Sequence, residues 1–347
     1  MAPEPDRGEV PHPRDRHVLF GHAEATAALR EAHASGRLHH AWLIGGPEGV
    51  GKATLAYRFA RWLLAPAAEH VASGDGLAVD PAGRTARQIS AGSHPNLMII
   101  EQAAAEGEKS APKTIPVGTV RRALSFFATT AADAGRRICI IDSVEDLSLA
   151  AANALLKPIE EPPSGALILL ASHAPQTVLP TIRSRCRKLS LAPLSQDVVG
   201  LILASLGPAF EAADKTLTDR AARAAEGSVA RALALLDPRR LALLDEVSGL
   251  LDRLPDLPIA RVLALADRLG ERRAEAEFSL ALDTVLHWLS QRVKAGQYLG
   301  AARLAPLAEA CENVTEAARA LEVYNLDRRA FIVSTFGDLA EAVRRSA

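Results

Sequence analysis

The sequence predicts an α/β domain built on a parallel sheet, followed by a small helical domain and then a larger all-α domain. Three observations predict it. Short apolar runs that fit buried strands alternate with helical periods over the first half of the chain, the pattern of a parallel sheet covered on both faces. Beyond Pro193 the strand signal disappears, and the rest reads as helices broken at Gly207-Pro208, Gly227, Pro238, Pro255, Pro258, Gly270 and Gly296. The 347 residues are 48% hydrophobic but only 4% aromatic, which places most apolar surface on Ala- and Leu-rich helical faces and suffices for two or three packed domains. The expected boundaries are a disordered N-terminus over 1–16, the α/β domain over 17–192, a small helical domain over 193–240 and the larger helical domain over 241–347.

In order, Ala23 to Ser35 has a helical period that Gly36 stops. Ala41 to Ile44 is a strand that runs into Gly45-Gly46-Pro47-Glu48-Gly49-Val50-Gly51-Lys52, and Ala53 to Ala65 is a helix with Leu55, Phe59 and Leu63 on one face. Residues 68–93 show no clear period. Leu97 to Ile100 reads as a second buried strand, residues 103–114 as a polar loop, and Val117 to Thr129 as a helix. Arg137 to Asp142 is an apolar run ending in an acid, as a central parallel strand would be. Ser148 to Glu161 is helical and stops at Pro162-Pro163. Ala166 to Ala171 is a further strand, and the next element begins over Pro180 to Cys186. Later, Leu282, Val285, Leu286, Trp288 and Leu289, then Leu321, Leu326, Phe331 and Ile332, form apolar helical stripes.

Charge and cysteine usage exclude several classes. Forty Lys+Arg against forty-one Asp+Glu give a formal net charge of −1, so any nucleic-acid contact must come from local patches rather than bulk charge. The three cysteines, 139, 186 and 311, form no Cys-x-x-Cys pair, which suggests neither a disulfide framework nor a zinc site. No apolar run reaches the roughly 18 residues of a membrane span, and the first seventeen residues lack the apolar region of a signal peptide. The expectation is a cytoplasmic protein with no membrane contact.

The chemistry sits in the glycine loop. Gly46-Pro47-Glu48-Gly49-Val50-Gly51-Lys52 fits G-x-x-x-x-G-K, the P-loop, in which Gly46, Gly49 and Gly51 let backbone N–H groups approach phosphates and Lys52 reaches the outer ones. Its place between a strand and a helix is the right context. Two departures follow. Ala53 stands where a Ser or Thr hydroxyl normally coordinates Mg²⁺, and Thr54, one residue on, is turned away by about 100°. Asp142 matches the strand-borne carboxylate that serves Mg²⁺, but Ser143 follows it where a hydrolytic enzyme places a Glu to polarise water. Glu145 and Asp146 read as solvated loop acids. Cys139 and Cys186 read as small buried hydrophobes, and His39 and His40 as structural.

Gly36-Arg37-Leu38-His39-His40-Ala41-Trp42-Leu43, the loop ending Gly51-Lys52, the helix ending Leu156-Lys157-Pro158-Ile159-Glu160-Glu161-Pro162-Pro163 and the run Thr181-Ile182-Arg183-Ser184-Arg185-Cys186 occur in order. Over about residues 17–190 the chain resembles the bacterial clamp-loader AAA+ ATPase family of DNA polymerase III. Because its loop and Asp142-Ser143 pair are degenerate, it resembles the delta-prime branch, of alphaproteobacterial type by Val120-Arg121, Gly135-Arg136-Arg137 and Ser172-His173-Ala174-Pro175. The resemblance implies an AAA+ domain, a helical lid and a helical collar. It implies a hetero-oligomeric ring with delta and gamma/tau subunits that loads a sliding clamp onto primed DNA, the nucleotidyltransferase activity of the holoenzyme residing in other subunits. It implies that Arg185 reaches in trans into a neighbour's ATP site as an arginine finger, against the plainer reading of a surface arginine capping a helix end.

The family's four-cysteine zinc module has no counterpart over residues 65–95, so no zinc is expected. Gly227-Ser228-Val229-Ala230 resembles the lid motif that carries a nucleotide-sensing arginine, but position 230 is alanine and Arg231 faces elsewhere on its helix. The expected chain is a largely non-hydrolysing stator that requires no cofactor, with weak ATP or ADP binding left open. A hydrolytic gamma/tau-like ATPase and an inert scaffold are the alternatives.

Overall fold

The computed structural model describes residues 10–72, 75–102, 114–128, 135–207, 210, 214–271, 273–296, 301–324 and 326–346. The chain divides into two compact units, Met1–Leu233 and Ala234–Ala347. The polar loop read at 103–114 lies outside the described residues except for position 114.

In the first unit β1 (Ala41–Gly45), β2 (Leu97–Glu101), β3 (Arg137–Asp142), β4 (Ala166–Ser172) and β5 (Arg187–Ser190) form one sheet in the order β2-β3-β4-β1-β5. Every pairing is parallel, with Ile44 of β1 opposite Ala171 of β4 on one side and Leu189 of β5 on the other. Because strand residues alternate between faces, Leu43, Cys139, Ile141, Ile168 and Leu170 join the core beneath α4 (Val117–Ala128), α5 (Leu149–Glu160) and α6 (Pro180–Arg183). Trp42, Ile44, Ile138, Ile140, Leu167 and Leu169 join the opposite core beneath α1 (Ala23–Ala34), α2 (Lys52–Leu64) and α3 (Arg84–Ser90). All seven residues of β4 are buried. Each large aliphatic side chain so buried contributes roughly 1.5–3 kcal/mol, which is why the central strands read as unbroken apolar runs.

Two elements were not expected. In β5, at the sheet edge, only Leu189 is buried and Arg187, Lys188 and Ser190 are exposed, so no apolar run announces it. Helix α3 is seven residues long with three buried positions, too short for a period. Its first N–H groups are satisfied from afar, Arg84 and Thr85 donating to the Glu69 carboxylate at 3.1 and 3.2 Å.

The expected disorder over 1–16 is corrected for its second half. Residues 1–9 lie outside the described residues, but Pro13–Asp15 form a short 3₁₀ turn, and the carbonyls of Arg14 and Arg16 accept hydrogen bonds from the buried Arg61 of α2. The Pro-rich composition suggested a frayed end, whereas buried donors elsewhere in the chain require these carbonyls.

Helices α7 (Gln196–Ala204) and α8 (Lys215–Ala224) follow in the first unit, and α9 (Val229–Leu235) leads out of it. The second unit holds α10 (Pro238–Leu251), α11 (Ile259–Leu269), α12 (Glu275–Ala295), α13 (Ala301–Tyr324) and α14 (Arg328–Ser346). Its core includes Val247, Leu265, Leu289 and Leu339. Of the expected stripes, Val285, Leu289, Leu321 and Ile332 are buried, and Leu282, Leu286, Trp288 and Phe331 pack against them. Leu326, 52% exposed, falls outside the core because it sits in the connection before α14, where the helical period is broken. No described helix is long and apolar enough to cross a membrane.

Candidate nucleotide-binding site

The loop after β1 is held on two sides. A side chain at Gly46 (φ +156°) would come within 2.5 Å of the Leu191 carbonyl oxygen, and one at Gly49 (φ +73°) within 2.4–2.8 Å of Ser228 and Ala230. Glycine is required at both by conformation and by close approach. The Val229 N–H donates to the Gly49 carbonyl at 2.9 Å, fastening residues 228–230 to the tip of the loop.

Lys52 opens α2 and is 7% exposed; its ammonium donates to the carbonyls of Gly46 at 2.9 Å and Pro47 at 2.7 Å. Burial lowers its pKa from the usual lysine value, and the carboxylates of Asp142, Glu48 and Glu145 act against that. Asp142, at the end of β3, has its pKa raised by burial, with Lys52 opposing the shift.

A cavity of about 570 Å³ opens in front of these groups. Gly49, Gly51, Lys52, Ala53, Asp142 and Ser143 line it, whereas Gly46 and Pro47 do not, their carbonyls being taken by Lys52. The apolar side chains of Val18, Leu19, Phe20, Ile202, Leu206 and Leu233 also line it. Such a mixed polar and apolar lining at the carboxyl ends of parallel strands fits a nucleotide, phosphates on the loop and base against apolar side chains. The fit to Mg²⁺ is incomplete, since Ala53 offers no oxygen beside Asp142. Thr54 also borders the cavity, contrary to the expectation that it turns away.

The reading of Glu145 and Asp146 as solvated loop acids is corrected. Asp146 accepts from the Ser143 hydroxyl at 3.0 Å and its N–H at 3.3 Å. Glu145 accepts from the Ser172 hydroxyl and, at 3.0 Å, from the Ala174 N–H, with His173 Nδ1 3.4 Å away. Burial would raise the Glu145 pKa, but these hydrogen bonds and the histidine outweigh it and hold it below the usual value. A 3₁₀ turn over Val144–Asp146 folds both acids back onto the ends of β3 and β4, which residue type alone does not reveal.

Arg185 takes no part in this chain's own cavity. It follows α6 on the surface, where Nη2 lies 2.9 Å from Glu160 Oε1 and Nη1 donates to the Thr181 carbonyl at 3.1 Å. Arg231 pairs with Glu226 at 3.6 Å and does not border the cavity. Cys139 and Cys186 are buried, which pushes both thiols up to about 12. His39 and His40 face the backbone carbonyls of Ala41 and Ile159.

The family model described as DNA polymerase III, delta subunit, matches residues 21–195, the stretch that carries the loop, Asp142 and Arg185. The chain belongs to that family. Among relatives it is similar to DNA polymerase III subunit delta' of Pseudomonas aeruginosa, 40% identical over 149 residues that cover 42% of this chain and 41% of the relative. It is also similar to the delta' subunit of Escherichia coli, 33% identical over 166 residues (48% and 46%), and to the tau subunit of that organism, 32% identical over 222 residues (63% and 32%). The chain thus spans less than half the length of these curated relatives. A solved DNA polymerase III gamma-subunit-related protein from Thermotoga maritima aligns with 93% of this chain and 99% of its own at 15% identity and a TM-score of 0.42, too loosely to add to the sequence relationship.

Sequence reasoning missed the apolar part of the lining and the buried Arg58 and Arg61 of α2, which donate to the His17, Arg16 and Arg14 carbonyls. The available signal was two arginines one turn apart on an otherwise apolar helix.

Proposed function

We propose that this chain is a delta-prime-type subunit of the DNA polymerase III clamp loader, a stator that does not turn over ATP itself and that supplies Arg185 in trans to a neighbouring gamma/tau ATP site. The observation that carries this reading is a P-loop, Lys52 and Asp142 in place around a cavity that lacks both turnover groups, with Ala53 and Ser143 at their positions. Asp146 and Glu145 do not replace the missing carboxylate, since both are engaged by hydrogen bonds to Ser143, Ser172 and Ala174. Nucleotide binding is weak, because phosphates must compete with the Gly46 and Pro47 carbonyls for the Lys52 ammonium. Delta and gamma/tau subunits are the partners, and the sliding clamp and primed DNA are met through the assembled ring.

The test is ATP turnover by the purified chain and by reconstituted complexes. The chain alone stays at background, and turnover abolished by Lys52→Ala would establish the hydrolytic reading instead. Arginine fingers contribute about 10³–10⁵ in rate at their own site, but other sites in a ring keep theirs. Arg185→Ala therefore lowers bulk turnover in part and clamp loading further, while folding and assembly are spared. Complexes that load clamps at wild-type rates with Arg185→Ala would make the inert scaffold the better reading.

A further inference from the structure

The segment Val10–Phe20 is held against α2 by an unusual pair of side chains. Arg58 is 5% and Arg61 2% exposed, one turn apart on a helix whose other buried positions are Lys52, Leu55, Ala56, Tyr57, Phe59 and Ala60. Arg58 forms a two-point pair with Asp75 at 2.8 and 2.9 Å and also donates to the His17 carbonyl. Arg61 makes no ion pair among the described residues. It spends its donors on the carbonyls of Arg16, at 3.0 Å, and Arg14, and its Nε is buried with no partner. Burial, with the Arg58 charge beside it and the Asp15 carboxylate opposing, pushes the Arg61 pKa down to about 10, so it remains charged at neutral pH.

A buried cation with no carboxylate in ion-pair contact is unfavourable, and an apolar residue of similar size commonly serves such a position as well or better for stability. The segment that Arg61 grips reaches further: Arg16 donates to the carbonyl and hydroxyl of Ser205, at the end of α7, at 3.0 and 2.6 Å, and Val18, Leu19 and Phe20 border the cavity. We infer that Arg61, seconded by Arg58, is a positioning residue that docks the segment Val10–Phe20 and thereby builds the apolar wall of the cavity. Its effect on ligands rests on the nucleotide reading above, and its effect on the segment does not.

The experiment uses the full chain as wild type, Arg61→Met and Arg61→Lys. Three readouts apply: thermal unfolding, hydrogen exchange over residues 10–20 with tryptic cleavage after Arg14 and Arg16, and affinity for ADP against inorganic tripolyphosphate, which has no base. With Arg61→Met, the melting temperature holds or rises while exchange over residues 10–20 accelerates at least about tenfold and strands β1, β3 and β4 stay protected. ADP binding weakens about tenfold and tripolyphosphate binding stays within about twofold. Arg61→Lys does not rescue, because one ammonium lacks the fork that spans two carbonyls.

Unchanged exchange and cleavage in the segment, or wild-type behaviour of Arg61→Lys, would overturn the assignment. So would a lowered melting temperature with protection lost throughout the sheet and both ligands weakened alike, which is the signature of a merely structural arginine. If the wild-type chain binds neither ligand, the nucleotide reading fails, and exchange alone decides whether Arg61 docks the segment.

Discussion

The polar and the apolar parts of the cavity lining in the first unit are built by different means. The polar part comes from one contiguous stretch, Glu48 to Lys52, plus Asp142 at a strand end, so its chemistry is written in the spacing of a motif. The apolar part is assembled from Val18, Leu19 and Phe20 with Ile202, Leu206 and Leu233, side chains some 180–215 positions apart that only folding brings together. Backbone N–H groups can cradle phosphate only in a narrow set of loop conformations, and those conformations demand glycine at fixed places. An apolar wall accepts many side chains from many places, and leaves no signature.

Four substitutions break or sharpen that contrast. The largest effect is expected from Gly46→Val, whose side chain meets a backbone oxygen that cannot step aside. A loss of about 2–4 kcal/mol in the denaturation free energy is expected, and a wild-type denaturation midpoint would mean the loop tolerates bulk as the wall does.

Next is Lys52→Ala, which removes the charge common to every phosphate ligand. Affinity for ADP and for tripolyphosphate falls together, about 10–100-fold by calorimetry. Retention of tripolyphosphate binding would show that the polar and apolar side chains do not divide the work.

In the apolar part of the lining, Ile202→Ser removes apolar area at a half-buried position. ADP affinity falls about three- to tenfold and tripolyphosphate affinity is unaffected. Equal loss of both ligands in the same titration would erase the distinction.

The smallest effect is Glu145→Gln, a change of about 1 kcal/mol at neutral pH. The native carboxyl is held below its ordinary value of 4.5, so the stability it contributes is present above that pH and is lost as pH falls through the lowered value. In acid titrations monitored by circular dichroism, the variant's stability therefore declines less below about pH 4.5 than that of the wild type. Parallel acid limbs would mean that Ser172 and Ala174 do not hold a carboxylate.

Legibility followed burial and periodicity. β1, β3 and β4 were readable because both faces of a central parallel strand are covered, and apolar runs of that length, bounded by polar residues, fit little else. β5 was not, since an edge strand with one buried residue looks like any exposed segment. Of the candidate site, Gly49, Gly51, Lys52 and Asp142 line one cavity, and Gly46 and Pro47 do not. Glu145 and Asp146 were misread because exposure statistics for acids ignore a 3₁₀ turn that returns both to the sheet.

By itself the sequence determined the alternation of strand and helix, the all-α remainder, the phosphate-type loop and the absence of its usual partners at Ala53 and Ser143. These are local properties, set by side-chain period, backbone conformation and residue identity at single positions. Only the tertiary structure decided that Lys52 is satisfied by its own loop, that Val229 fastens to Gly49, and that two buried arginines of α2 fold the Pro-rich N-terminal segment into a wall. Hydrogen-bond partners and burial depend on which distant carbonyls arrive in the folded chain, and a one-dimensional pattern carries no record of that arrival.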